Sequence, residues 1–221
     1  MAESVLYKPN QYDDAYARDP GVLRFLSTVL SHLPPQSQVL DVGCGTGKPV
    51  AETLAAAGHF ITGIDNVHTM VELSQKRIPS GVFQLSDMRE YVHPKTKQLD
   101  AVLMVRSLFR LGREEIEETV RKYGSWLHSG GLVCIATMAA DDFSPDNMLS
   151  GYDPDGLCAR EVRKRFMGNQ VTSALFTQVG WQLLLQKNGF NIVDQKKNVF
   201  GPPDRIDSDA LPYYYIIAKK V

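Results

Sequence analysis

Cysteine is scarce in this chain: three in 221 residues, an odd number, with no Cys-x-x-Cys pair. That argues against a disulfide framework and suits a reducing compartment. No apolar run approaches the ~18 residues that would read as a membrane span. Neither sign of charge is in excess, 24 Lys+Arg against 25 Asp+Glu for a net charge of −1. Nothing global therefore favours nucleic acid or an anionic membrane as a partner. The five histidines are scattered without metal-ligand spacing, so no metal is expected. The first residues, Met1 to Pro9, lack a charged-then-apolar leader pattern. There is no repeat and no low-complexity tract. What remains is an ordinary globular balance, 43% hydrophobic and 22% charged. The expectation is one domain over residues 1–221, soluble and cytoplasmic, a monomer or homodimer, with a core large enough to need no staples.

What is present is concentrated in twelve residues, Val39-Leu-Asp-Val-Gly-Cys-Gly-Thr-Gly-Lys-Pro-Val50. An apolar run ends on Asp41 and passes into Gly43, Gly45 and Gly47, and Pro49 then opens an Ala/Leu-rich stretch. The pattern predicts a buried strand, a tight turn and a helix start. Alternating glycines let a ligand lie against the backbone, because no Cβ intervenes. A phosphate-binding P-loop is excluded, since Gly47-Lys48 is followed by Pro49 and position 42 is Val. In the dinucleotide fingerprint G-x-G-x-x-G the third glycine would fall at Lys48, one residue later than Gly47.

Two further acids follow in the same relation to apolar runs. His59-Phe-Ile-Thr-Gly-Ile-Asp65 and Gly81-Val-Phe-Gln-Leu-Ser-Asp87-Met88 each predict a strand closing on a carboxylate. An acid at the end of a second strand can accept both ribose hydroxyls of a nucleoside. Acids at strand ends also start turns and cap helices. Three at the ends of successive strands are hard to assign to turns alone.

The D-x-G-x-G-x-G loop with these acids resembles motif I and its sequel in the class I S-adenosylmethionine-dependent methyltransferases. The resemblance continues through Leu99–Val105, the double glycine Gly130-Gly131, Asn188–Val193 and Tyr213–Ala218, covering roughly residues 36 to 220. It is closest to the small-molecule branch that includes ubiquinone-type and secondary-metabolite enzymes. That branch tends to show Leu-Phe-His-Leu after strand four, where this chain reads Leu108-Phe-Arg-Leu111. The resemblance implies an α/β, Rossmann-like, doubly wound sheet of seven strands, mostly parallel with the last antiparallel. It implies S-adenosylmethionine as cofactor, met by Tyr16, Asp41, Gly43, Cys44, Gly45, Gly47, Asp65, Asn66, Met70, Asp87, Met88 and Val105. It also implies transfer of a methyl group to a small molecule. The alternative is a cofactor-binding protein of the same fold with a non-methylating reaction, such as a cyclisation.

Methyl transfer is an in-line displacement that needs alignment above all, and orientation can supply ~7–11 kcal/mol without acid or base. No catalytic dyad is visible, and no catalytic residue is assigned. Residues 1–35 are expected to form a helical cap, with Asp19 as N-cap and Pro20 at the first helical position. Residues 138–176 are expected to be a lid-like insertion, irregular and carrying two Asp-rich turns. The cluster Arg160–Arg165 reads as a solvated helix face, with a funnel for an anionic substrate as the lesser reading. Asp141 and Asp142 fit a turn better than a base. Tyr12, Arg106, Phe109, Phe143 and Phe166 are the expected lining of the substrate pocket, Arg106 being suited to an oxyanion.

Overall fold

The computed structural model describes residues 9–94 and 98–221. Two helices come first, α1 (Pro9–Tyr16) and α2 (Pro20–His32). Asp19 caps α2 by accepting a hydrogen bond from the Gly21 amide at 2.7 Å. The expected cap over 1–35 has these two helices in it, and residues 1–8 lie outside the described residues. Strands and helices then alternate: β1 (Gln38–Val42), α3 (Val50–Ala56), β2 (Phe60–Asp65), α4 (His68–Arg77), β3 (Val82–Leu85), β4 (Leu99–Val105), α5 (Arg113–Ser125) and β5 (Leu127–Met138). After an irregular stretch come β6 (Cys158–Phe166), β7 (Asn169–Phe176), α6 (Gln178–Lys187), β8 (Phe190–Phe200) and β9 (Leu211–Lys220).

Seven strands form one sheet in the order β3-β2-β1-β4-β5-β9-β8. The first five are parallel and β9 is antiparallel to both of its neighbours, as the resemblance implies. The two-residue period of a strand divides the apolar residues between two cores. Val39, Ala101, Leu103 and Cys134 face one side, where α2 and α3 lie. Leu40, Val42, Val102, Met104 and Ile135 face the other, covered by α5 and α6. The sheet is buried on both faces, which is why its central strands read as continuous apolar runs. The strand order reverses direction between β1 and β4, and a crevice at the carboxyl ends of such strands is the usual ligand site of an open α/β sheet.

Two elements differ from the sequence-based expectation. The double glycine Gly130-Gly131 is not a turn ahead of the fifth strand but lies within β5, at a register shift that leaves Leu99 opposite Leu127 but Ala101 opposite Leu132. The larger difference is in 138–176. Its second half is a β-hairpin, β6–β7, paired from Cys158↔Phe176 to Phe166↔Asn169. Met167 (φ 50°) and Gly168 (φ 79°) form its two-residue turn, both in the left-handed region as a tight hairpin requires. The basic stretch 160–165 is therefore a strand and not a helix face. Val162, Lys164 and Phe166 point inward, while Glu161, Arg163 and Arg165 are exposed. No helix among the described residues is long and apolar enough to cross a membrane.

Candidate functional site

The floor of the site is the loop after β1. Gly43 and Cys44 donate their amides to Ile64 O (2.8 and 2.9 Å), which ties the loop to the end of β2. Gly43 has φ +74°, and a Cβ there would lie 2.4 Å from that of Ser107, so the turn after β4 can close onto the loop only over a glycine. Gly45 has φ +54° and nothing within 4 Å of the place a Cβ would take. Its backbone is thus bare toward the cleft, a cradle that a side chain would fill. Gly47, expected beside the cofactor, does not line the cleft. A Cβ there would meet Ile78 and Ser74, so it packs against α4 and the end of that helix.

The carboxylates converge here. Asp65, closing β2, accepts from the amides of Gly45 and Val67, each at 2.9 Å. Burial raises its pKa, and these amides hold the rise back. Asp41 is 1% exposed, and its Oδ2 has no hydrogen-bond partner. Burial, and then the charge of Asp65, push its carboxyl up to about 7. Two buried acids with an unused oxygen between them favour a cationic guest. The Cys44 thiol is pushed far above its usual range, chiefly by burial, so it is a neutral wall and no nucleophile. Asp87 is held below the usual carboxylate range by Arg89, which meets it at 2.6 and 2.9 Å.

Asp41, Gly43, Gly45, Asp65, Asn66, Met70, Asp87, Met88 and Val105 line one cleft of about 730 Å³, a volume usual for a cofactor or drug-sized ligand. Cys44 and Tyr16 line it as well. Of the expected substrate-pocket residues, Tyr12, Arg106, Phe109 and Phe166 share the same cleft. Phe143 does not: it packs against the hydrophobic core beneath the sheet's end. Arg106 lines the cleft but is not free for an oxyanion. Its guanidinium is ion-paired with buried Asp19 and lies 3.7 Å from the Tyr213 ring centroid. Its backbone sits at φ +57°, a strained conformation for a non-glycine residue that turns the chain away from β4. Asp141 and Asp142 are structural, as the turn reading has it. Asp141 accepts from the Gln178 amide at the start of α6, and Asp142 pairs with Lys197 at 2.7 Å.

Some residues of the site gave no sequence signal. Asp13 of α1 accepts from Thr46 Oγ1 (2.5 Å) and pairs with Arg77 (2.9 Å), while Arg77 also reaches Thr46 O (2.7 Å). This clamp fastens α1 to the glycine loop and sets Tyr12 and Tyr16 over the cleft. Lys164 and Ser173 enter from the hairpin, and Lys164 Nζ donates to Ser173 Oγ at 2.5 Å. Recognising the hairpin in the sequence would have exposed Lys164, because a period of two places it beside Val162 and Phe166.

Residues 39–131 match the methyltransferase domain family. An uncharacterized methyltransferase of Bacillus licheniformis is 27% identical over 61% of this chain and 60% of its own length. The malonyl-[acyl-carrier protein] O-methyltransferase of Halalkalibacterium halodurans is 29% identical over 56% of this chain and 45% of its own. The chain thus spans about half the length of the curated relatives it matches. Among solved structures, an S-adenosylmethionine-dependent methyltransferase of Methanosarcina mazei superposes with a TM-score of 0.68 at 18% identity, over 88% of this chain and 97% of that one. The magnesium protoporphyrin IX methyltransferase of Synechocystis, solved with bound S-adenosylhomocysteine, gives 0.67 at 16% identity over 99% and 90%.

Proposed function

We propose that this chain, whose residues 39–131 match the methyltransferase domain family, holds S-adenosylmethionine in the cleft at the ends of β1–β4 and methylates a small organic molecule. One observation carries the reading: the buried Asp41 oxygen without a partner, within the field of Asp65 and in the same cleft as the open backbone of Gly45. A ligand with an ammonium, a ribose and a flat base suits those three features in turn. Asp41 would take the ammonium, Asp65 the ribose hydroxyls, and Asp87 with Met88 the adenine edge and face. Each Asp65 oxygen already accepts one amide and keeps a lone pair for a hydroxyl.

When bound, the cofactor supplies a methyl group activated on a sulfonium. The chain's own task is then alignment and dryness. Phe109, Phe166, Tyr12 and Tyr16 wall the other side of the cleft with rings, which orients an acceptor and keeps water out. Residues 9–35 of the cap and the segment 138–176 would act as the two halves of this cover. The three cysteines are free and buried, which suits a cytoplasmic setting.

The test is incubation with S-adenosylmethionine and fractionated metabolite extracts, followed by mass spectrometry for S-adenosylhomocysteine. Product that depends on an extract fraction and is lost in Asp65→Ala is the expected result. Cofactor bound without product in any fraction would turn the reading to a non-methylating reaction.

A further inference from the structure

Three of the arginines along the cleft are already paired. Arg106 is paired with Asp19, Arg160 with Glu114 and Asp153, and Arg89 with Asp87 and Glu115. Lys164 is different. It sits on the inward row of β6, 4% exposed, between Val162 and Phe166. One of its three N–H groups goes to Ser173 Oγ, which passes its own hydrogen to Phe109 O at 2.8 Å. No carboxylate among the described residues pairs with it. Lysine is almost never this buried without a counter-ion, because an ammonium removed from water must be repaid by a partner. Burial accordingly pulls its pKa down to about 8, which still leaves the side chain largely protonated at neutral pH. The ring of Phe109 lies 5.4 Å away, and Phe166 and Val171 line the same cleft.

We propose that Lys164 is the acceptor-binding residue: its ammonium takes a carboxylate or phenolate oxygen of an organic acid whose apolar body lies between Phe109, Phe166 and Val171. The protein then selects anionic acceptors over neutral ones. This rests on the cofactor occupying the floor of the cleft, which leaves the hairpin side for the acceptor. Ser173 acts as a positioning residue, since its contact with Phe109 O fixes the direction from which it accepts.

The experiment compares 2-naphthoate with 2-naphthamide, two probes of one shape that differ in charge. Their affinities are measured by calorimetry with the wild type, Lys164→Met and Lys164→Arg, each with and without saturating S-adenosylhomocysteine. The wild type is expected to bind the naphthoate at least tenfold more tightly than the amide. Lys164→Met should abolish that preference and Lys164→Arg should keep most of it. S-Adenosylhomocysteine affinity should stay within twofold in all three proteins, which also reports on folding. Equal affinity for both probes in the wild type, or a preference that survives Lys164→Met, overturns the proposal. Failure of S-adenosylhomocysteine to bind the wild type would instead remove the cofactor reading, and the probe comparison without it would still decide the role of Lys164.

Discussion

The floor and the roof of the cleft are built on opposite principles. The floor, after β1, β2 and β3, is made of short loops, and its central carboxylate, Asp65, is held by backbone amides alone. The roof brings α1, the turn at 106–110 and the β6–β7 hairpin together across long stretches of chain, and side chains hold it. Asp13 reaches Thr46 and Arg77, Arg106 reaches Asp19, and Ser173 reaches Phe109. A floor fixed by backbone serves one invariant ligand. A roof fixed by side chains can be rebuilt for a new acceptor without disturbing it. The proposed division of labour follows: floor substitutions should act on cofactor affinity, and roof substitutions on the acceptor.

The largest expected effect lies in the floor. Gly45→Val puts a branched side chain at φ +54° into the open cradle, and should abolish S-adenosylhomocysteine binding while the protein still melts cooperatively. Normal binding by that variant would reduce the loop to a turn. Next, Asp65→Ala removes a charged acceptor worth ~1.5–3 kcal/mol, so calorimetry should show affinity falling about ten- to more than a hundredfold. Asp87→Ala should lose less, because Arg89 already engages that carboxylate and Met88 still packs on the base.

Acidity gives a smaller effect with a definite sign. The folded chain holds the Asp41 proton up to about 7, well above an unfolded aspartate. Its contribution to stability is therefore full at pH values below the unfolded aspartate range and is lost as the pH rises through 7. Binding an ammonium requires the ionised form and reverses that loss. The melting temperature without ligand should fall from pH 5 to pH 8, while the increment given by S-adenosylhomocysteine should grow over the same range. Asp41→Asn should flatten both trends. A ligand increment independent of pH would detach Asp41 from the cofactor.

The gentlest test concerns the roof. Hydrogen exchange in residues 9–18 and 138–176 should slow by severalfold when S-adenosylhomocysteine and an acceptor are bound. Phe109→Ala should lower turnover and leave cofactor affinity nearly unchanged. Unaltered exchange in both segments together with unaltered turnover would place the acceptor elsewhere.

The same contrast explains what could be read from the amino acids. The first strands and the loops that follow them were legible because local patterns carry them: apolar runs that end on Asp41, Asp65 and the segment before Asp87, with glycines at fixed offsets; the antiparallel β9 followed from the family resemblance, and the strand order had no local signal. Even there only the fold shows that Gly47 packs against Ser74 and Ile78 and does not line the cleft. In the roof the sequence offered residue types without partners. Arg106 promised an oxyanion site, but Asp19, distant in the chain, claims it. Phe143 fits an apolar lining and an apolar core equally well, and the core holds it. The run Arg160–Arg165 is polar enough to suggest a solvated helix. Its period of two becomes visible only once Met167-Gly168 is seen as a turn, and a Met-Gly pair is a weaker hairpin signal than Asn-Gly.

A crystal structure of the protein with S-adenosylhomocysteine tests the central claim most directly. The account predicts the ribose hydroxyls on the Asp65 carboxylate, the amino group at Asp41 Oδ2, the ligand backbone against Gly45, and the sulfur facing the side of Phe109 and Lys164. A ligand seated away from Asp65, or one whose sulfur faces a wall with no room for an acceptor, would contradict it.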